Sequence, residues 1–303
     1  MALAPRVVLV HRETEVEELA VRHGTPQQAA FFLQQRGRSL DTVRHGQIAH
    51  QAALDIVAAA IPADWRRGEV ERGDLARFVF GPEDIVVAVG QDGLVANVAK
   101  YLDGQPVIGI DPDPRRNVGV LVRHPPEAIA GLLAEAVSSR GRAPGPGSRT
   151  ELRSMVRITT DDGQSLLALN EIYVGQATHQ SACYTVRVPD GRAERQSSSG
   201  VLVGTGTGAT GWCRSVWLER RSALTLPEPT GRTLCWFVRE AWPSPATGTE
   251  LTEGSLAADQ ELVLTAESDL VVFGDGIESD FVPVTWGQNA TLTVADRQLR
   301  LVV

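Results

Sequence analysis

The chain has 303 residues, 43% hydrophobic and 22% charged side chains and a formal net charge of -8, a balance that suits a soluble globular protein and excludes extensive disorder. That length leads us to expect about two domains, each with its own core. The acidic excess excludes a protein that grips nucleic acid through a broad basic face. Nearly all the cations are arginines and Lys100 is the single lysine. Cys183, Cys213 and Cys235 are widely spaced with no CxxC pair, which argues against zinc or a redox couple and fits a reducing cytoplasm. None of the histidines has metal-ligand spacing; His45 and His50 lie five apart with no partner cluster. The run from Met1 to Arg6 lacks the layout of a signal peptide and no long apolar segment follows, so neither secretion nor membrane insertion is expected.

In chain order, Arg6-Val-Val-Leu-Val10 predicts a short buried strand, and helical spacing runs from about Thr25 to Ala60 until Pro62 stops it. Asp84-Ile-Val-Val-Ala-Val89 is an apolar run of the kind buried on both faces of a parallel sheet. Gly90-Gln91-Asp92-Gly93, a helix over 94–102 and the strand Pro106-Val-Ile-Gly-Ile110 follow, which makes the first part α/β. Gly141-Arg-Ala-Pro-Gly-Pro-Gly147 reads as a linker. Beyond it come alternating runs at 155–159, 184–188, 261–265 and 290–294, broken by Asp-Gly turns. The expected organisation is an α/β domain over 1–140 and a β-rich domain over 150–303.

The loop after Asp84–Val89 places Asp92 at the carboxyl end of a parallel strand, where open α/β sheets bind ligands. Amides at a helix start there favour phosphate. By itself, however, Asp-Gly at that position equally describes a helix cap. The second glycine-rich run is Val201-Leu-Val-Gly-Thr-Gly-Thr-Gly-Ala-Thr-Gly-Trp212. Its small residues allow close backbone approach, and the hydroxyls of Thr205, Thr207 and Thr210 can donate to phosphate or ribose oxygens. It also contains a GxGxxG pattern at Gly206, Gly208 and Gly211, the dinucleotide fingerprint of oxidoreductases. That fingerprint needs a following helix, a second strand and an acidic residue about 20 positions on, and the sequence does not predict them in that order. No Walker A lysine is present. Asn170-Glu171 could read an adenine edge and a ribose hydroxyl or form a solvated turn. Asp275-Gly276 alone reads as a hairpin turn. Lys100 suits an exposed helix face, and Trp212 and Trp217 suit packing, with Trp212 placed to cover a base.

Taken in order, Gly-Gln-Asp-Gly at 90–93, Ile110-Asp-Pro-Asp-Pro114, Leu169-Asn-Glu171, Ser199-Gly200, Thr205-Gly-Thr-Gly208 and Phe273-Gly-Asp-Gly276 resemble the NAD kinase family over nearly the whole chain. Arg6–Val10, Ala182-Cys-Tyr184 and Val238-Arg-Glu240 are similar to its mitochondrial-type branch. The resemblance implies the NAD kinase/diacylglycerol kinase-like fold: a Rossmann-like α/β domain, a β-rich C-terminal domain and a nucleotide site in the cleft between them. It implies a homodimer or larger homo-oligomer, and transfer of the γ-phosphoryl of ATP to the adenosine 2′-hydroxyl of NAD with Mg²⁺. Asp92 would be the catalytic base. Gly90, Gln91, Gly93, Asn117, Asn170, Glu171, Thr205, Thr207, Gly208, Thr210, Trp212, Asp275 and Gly276 would contact nucleotide, and no protein metal ligand is assigned. The loop departs from the family's Gly-Gly-Asp-Gly-Thr at Gln91 and Leu94, and Ala209 stands where serine is common. Those departures keep two other functions open: a kinase for another nucleoside, sugar or lipid hydroxyl, and a non-catalytic NAD(P)-binding regulator.

Overall fold

The computed structural model describes residues 4–114, 119–145, 147–278 and 280–303. Asn117 and, in the expected linker, Pro146 lie outside the described residues. The chain forms two compact units, one of residues 1–151 with 300–303 and one of residues 152–299.

The first unit is built on parallel strands. Its elements are β1 (Arg6–His11), α1 (Glu15–His23), α2 (Pro26–Gln34), α3 (Leu40–Ala60), β2 (Arg66–Glu71), β3 (Asp84–Val89), α4 (Asp92–Ala99), β4 (Pro106–Ile110) and α5 (Ile129–Ser139). The strands lie in the order β2-β1-β3-β4, all parallel. All of β3 is buried, as its apolar run requires, and Val57 of α3, Ile61 just after it, and Leu132 and Leu133 of α5 pack on one face of the sheet. The exception to apolarity is Asp84 at the start of β3, whose buried carboxylate takes a fork from Arg6: Nε to Oδ1 at 2.8 Å and a second nitrogen to Oδ2 at 2.5 Å. A bidentate pair is how such a charge is tolerated away from water.

Two helical expectations change here. The region 25–60 is not one helix: α2 ends at Gln34 and α3 starts at Leu40, with Ser39 capping it through a 3.2 Å bond from the Asp41 amide. Gly37, at φ 68°, makes the intervening turn. Helix α4 starts two residues earlier than its apolar spacing predicts and ends at Ala99, with Lys100 following. Helix α1 was hidden by its polarity, although Thr14 and Glu17 form a reciprocal capping box at its start.

The second unit is mainly β: β5 (Thr150–Thr160), β6 (Ser165–Ala168), β7 (Glu171–Gly175), β8 (Ala182–Arg187), β9 (Ala193–Ser198), β10 (Gly200–Gly204), α6 (Trp212–Arg220), β11 (Leu234–Arg239), β12 (Glu253–Leu256), β13 (Glu261–Ala266), β14 (Leu270–Gly274), β15 (Val282–Val284) and β16 (Asn289–Val302). Strand β5 begins, and β16 ends, in the residues assigned to the first unit; Arg300–Val302 pair in parallel with β4. One antiparallel sheet runs β12-β11-β10-β7-β14-β15. Its Ile172, Val174, Val201, Val203 and Trp236 face a core shared with Tyr184, Val186, Leu262 and Leu264. The opposite face carries Leu202, Cys235 and Phe237 and is covered by Cys213 and Val216 of α6. The period-2 alternation of these strands is what divides the two faces.

Candidate active site

In the first unit the residues of interest collect at the carboxyl ends of β1, β3 and β4. Gly90 leaves β3 with φ 155°, and a Cβ there would press on Leu94 Cδ2 at 3.3 Å. Gln91 occupies the cap position of α4 without a side-chain capping bond. Asp92 does not cap its own helix. Its Oδ2 accepts the Val120 amide at 2.7 Å, and Oδ1 accepts the amides of Leu121 and Val122 at 2.9 and 2.8 Å. Three successive N–H groups thus form a nest around one carboxylate. A carboxylate offers about four acceptor positions, so one remains, on Oδ2. The helix-cap alternative is overturned by this partner set.

Beside this loop a cavity of about 610 Å³ is lined by residues including Arg12, Arg38, His50, Gly90, Gln91 and Asp113. Its arginines are engaged: Arg38 is forked onto Glu15, and Arg12 meets Glu18 at 3.3 Å. Burial, and then the charge of His11, lower the pKa of His50, favouring neutral imidazole. Leu94 is buried, in the position where the resemblance noted from sequence leads one to expect threonine. The missing hydroxyl is therefore replaced by a packed side chain. Lys100 approaches the Tyr101 ring at 5.2 Å.

In the second unit the sequence-separated motifs Asn170-Glu171, 204–212 and Asp275-Gly276 meet. Strand β7 pairs with β10 and β14, and the register sets Glu171 opposite Gly204 and Tyr173 opposite Phe273. Thr205 is fully buried; its hydroxyl donates to Leu169 O at 2.6 Å and accepts the amides of Thr207 and Gly208 at 3.1 and 3.3 Å. Thr210 likewise donates to Thr207 O at 2.8 Å. These two hydroxyl hydrogens are spent on main chain. The Thr207 hydroxyl is buried and has no partner among the described residues, a condition that costs free energy unless a ligand or water answers it. The glycines serve the protein's own contacts: a Cβ would lie 2.1 Å from the Glu228 carbonyl at Gly206 and 2.2 Å from Asn170 O at Gly208.

Above the sheet, Trp212 stands nearly parallel to Tyr173, with centroids 5.8 Å apart and planes inclined by 20°, and Phe273 adjoins Tyr173 at 5.0 Å. The Arg239 guanidinium lies 5.5 Å over Trp212. Sequence reasoning singled out Trp212 and missed Tyr173, although alternation along Glu171-Ile-Tyr173 already sets it on the Glu171 face. Burial, reinforced by the charge of Asp275, pushes the Glu171 carboxyl up to about 8. Asp275 and Gly276, at φ 54° and 68°, make the turn closed by Ile277 N to Gly274 O at 3.1 Å.

A helix does follow the glycine-rich run, contrary to expectation: α6 begins at Trp212. The strands on either side of it, β10 and β11, are nevertheless antiparallel neighbours. A dinucleotide fingerprint belongs to a crossover between parallel strands, so the oxidoreductase pattern at Gly206 is incidental.

No protein-family model matches the sequence. An NAD kinase of Halorubrum lacusprofundi is 28% identical over 221 residues, covering 71% of this chain and 70% of that one. Over that span the chain is similar to an NAD kinase. The mitochondrial NAD kinase 2 of Rattus norvegicus is 30% identical over 167 residues, covering 43% of this chain and 39% of the rat protein. The same enzyme of Homo sapiens matches at 30% over 43% of this chain and 38% of its own. The crystal structure of an NAD kinase from Archaeoglobus fulgidus in complex with ATP superposes with a TM-score of 0.56 at 18% identity, covering 98% of this chain and 93% of that one. At that identity the likeness is one of fold, and it agrees with an α/β unit and a β-rich unit in the NAD kinase order.

Proposed function

We propose that the protein is an ATP-dependent kinase that moves the γ-phosphoryl group of ATP to the adenosine 2′-hydroxyl of NAD, giving NADP. The observation that carries this reading is the match to an NAD kinase across 71% of the chain. The geometry supports it. Phosphoryl transfer asks mainly for positioning and charge neutralisation, and main-chain amides with a fixed carboxylate provide the former.

In this reading Asp92 uses the acceptor position left on Oδ2 to orient the hydroxyl and take its proton as the new phosphorus–oxygen bond forms, while the bond from the γ-phosphorus to the bridging oxygen breaks and ADP leaves with that electron pair. Gly90, Gln91 and Gly93 border the phosphates. Asn170, Glu171, Thr207 and Gly276 meet the dinucleotide, and Trp212 with Tyr173 offers a flat face to a base. Among the described residues no group of three or more His, Cys, Asp or Glu side chains is placed to hold a metal. Mg²⁺ therefore enters as the companion of the ATP polyphosphate, the usual habit of an ion that keeps most of its water and needs at most one or two carboxylates.

No helix among the described residues is long and apolar enough to cross a membrane. We assign the protein to the cytoplasm, with support from three free cysteines. A homodimer or larger homo-oligomer belongs to the same reading, with support from the exposed Trp242, Phe281 and Trp286, and sedimentation velocity tests it. Incubation of the folded protein with ATP, Mg²⁺ and NAD should yield NADP; no NADP from folded protein would reject the assignment.

A further inference from the structure

Asp275 is assigned by its motif to ligand contact, yet its carboxylate is turned onto the protein's own backbone. Oδ2 accepts the Leu169 amide at 2.8 Å and Oδ1 accepts the Asn170 amide at 2.6 Å. Its own amide donates to Glu171 O at 3.1 Å. Two turns far apart in sequence, 169–171 and 274–277, are thereby joined by three hydrogen bonds. Hydrogen bonds to an ionised acceptor are the stronger kind, and two on one carboxylate fix direction as well as distance. The joined turn is the one from which Glu171 projects beside Gly208, where a Cβ would lie 3.1 Å from Glu171 Oε2.

Among the described residues, the ionisable groups facing Glu171 are Asp275, from the turn after β14, and the Cys213 thiol, from α6. Neither supplies positive charge. A carboxyl group placed so stays neutral near pH 7 and can donate a hydrogen bond, which an ionised carboxylate cannot.

We propose that Asp275 is a positioning residue for the dinucleotide: it grips the Leu169–Glu171 turn by its main chain, so that Glu171 meets a ribose hydroxyl or diphosphate oxygen of the ligand as a hydrogen-bond donor. The inference rests on the NAD reading of the site. Its consequence is that NAD affinity falls as pH rises through about 8, where Glu171 loses its proton.

The test uses the whole chain, with Asp275→Asn as the first variant because asparagine tolerates the positive φ found there. Isothermal calorimetry with NAD across neutral to alkaline pH, steady-state kinetics, and amide hydrogen exchange at Leu169 and Asn170 are measured together. Asp275→Asn should raise KM for NAD on the order of tenfold, equivalent to the loss of one charge-assisted bond, with a smaller change in kcat. It should speed exchange at both amides and move the alkaline loss of affinity to lower pH, since the like charge is gone. Glu171→Gln, which leaves Asp275 and its three bonds in place, should remove the alkaline loss altogether. If Asp275→Asn keeps wild-type KM, exchange and pH profile, the proposal is overturned. Should that variant fail to fold, Glu171→Gln with an undiminished alkaline loss overturns it instead. Wild-type protein that forms no NADP defeats the NAD reading itself, a result distinct from either.

Discussion

Asp92 Oδ1 accepts the amide of Val122 at 2.8 Å across 30 positions of sequence, and this bond makes the first residue of α4 an anchor for the segment 120–122. The chemical role proposed for Asp92 and this anchoring role draw on the same two oxygens. Substitution therefore has two consequences. In Asp92→Asn the amide nitrogen must face at least one N–H donor, leaving it unsatisfied, which costs about 1–3 kcal/mol. We expect loss of NADP formation together with a lower urea midpoint. Wild-type turnover in the variant would remove the base assignment, and an unchanged midpoint would remove the anchoring role.

Glu171 gives a second prediction, on stability. Its carboxyl is raised to about 8 in the fold by burial and then by Asp275, against an ordinary value near 4.3 in an unfolded chain. The folded state therefore holds the proton more tightly. That contribution is complete below about pH 4, declines as the unfolded chain ionises, and is lost as pH rises through about 8. The total change between these limits is on the order of a few kcal/mol. Denaturation midpoints followed from acid to alkaline pH should show Glu171→Gln gaining on wild type as pH rises; parallel curves would contradict it.

The apolar strands were legible because the physics that makes them is local, whereas the polar β2 was not read from sequence. The apolar run 85–89 and the alternating 261–266 declare their burial in composition alone. What the sequence hid were relationships carried by main chain. Nothing in Val120-Leu-Val122 marks those amides as the partners of Asp92, and nothing in Asp275-Gly276 says that its carboxylate will close on Leu169 and Asn170. The glycine-rich run misled in a similar way. Its glycines suggest room for a ligand, whereas Gly206 and Gly208 are small because Glu228 and Asn170 lie against them. Helix α1 escaped because its apolar stripe is thin, with Leu19 its one buried residue.

Those glycine contacts make a third prediction. At Gly208 an added methyl would meet Asn170 O at 2.2 Å, and backbone cannot swing aside as a flexible side chain can. Gly208→Ala should cost more than about 2 kcal/mol, at the upper end of overpacking penalties, and weaken NAD binding. Gly131→Ala, within α5, is the control, since an added Cβ there would meet nothing within 4 Å. Equal thermal stability of the two variants would show that the run adapts.

The loop's departures at Gln91 and Leu94 differ in kind, and the difference is testable. Leu94 is buried, so Leu94→Thr exchanges packed apolar surface for a hydroxyl and should cost about 1–3 kcal/mol without improving ATP turnover. Gln91 is exposed, lines the 610 Å³ cavity and makes no capping bond. Its side chain is available to a nucleotide and not needed by the fold. Gln91→Gly should therefore change KM for ATP while shifting stability by no more than about 1 kcal/mol, the backbone cost of glycine. Titrating ATP at saturating NAD for the two variants checks the contrast. A Gln91→Gly protein with unchanged KM for ATP would place the donor phosphates away from this cavity, and a Leu94→Thr protein of wild-type stability would mean that the side chain is not part of the α4 packing.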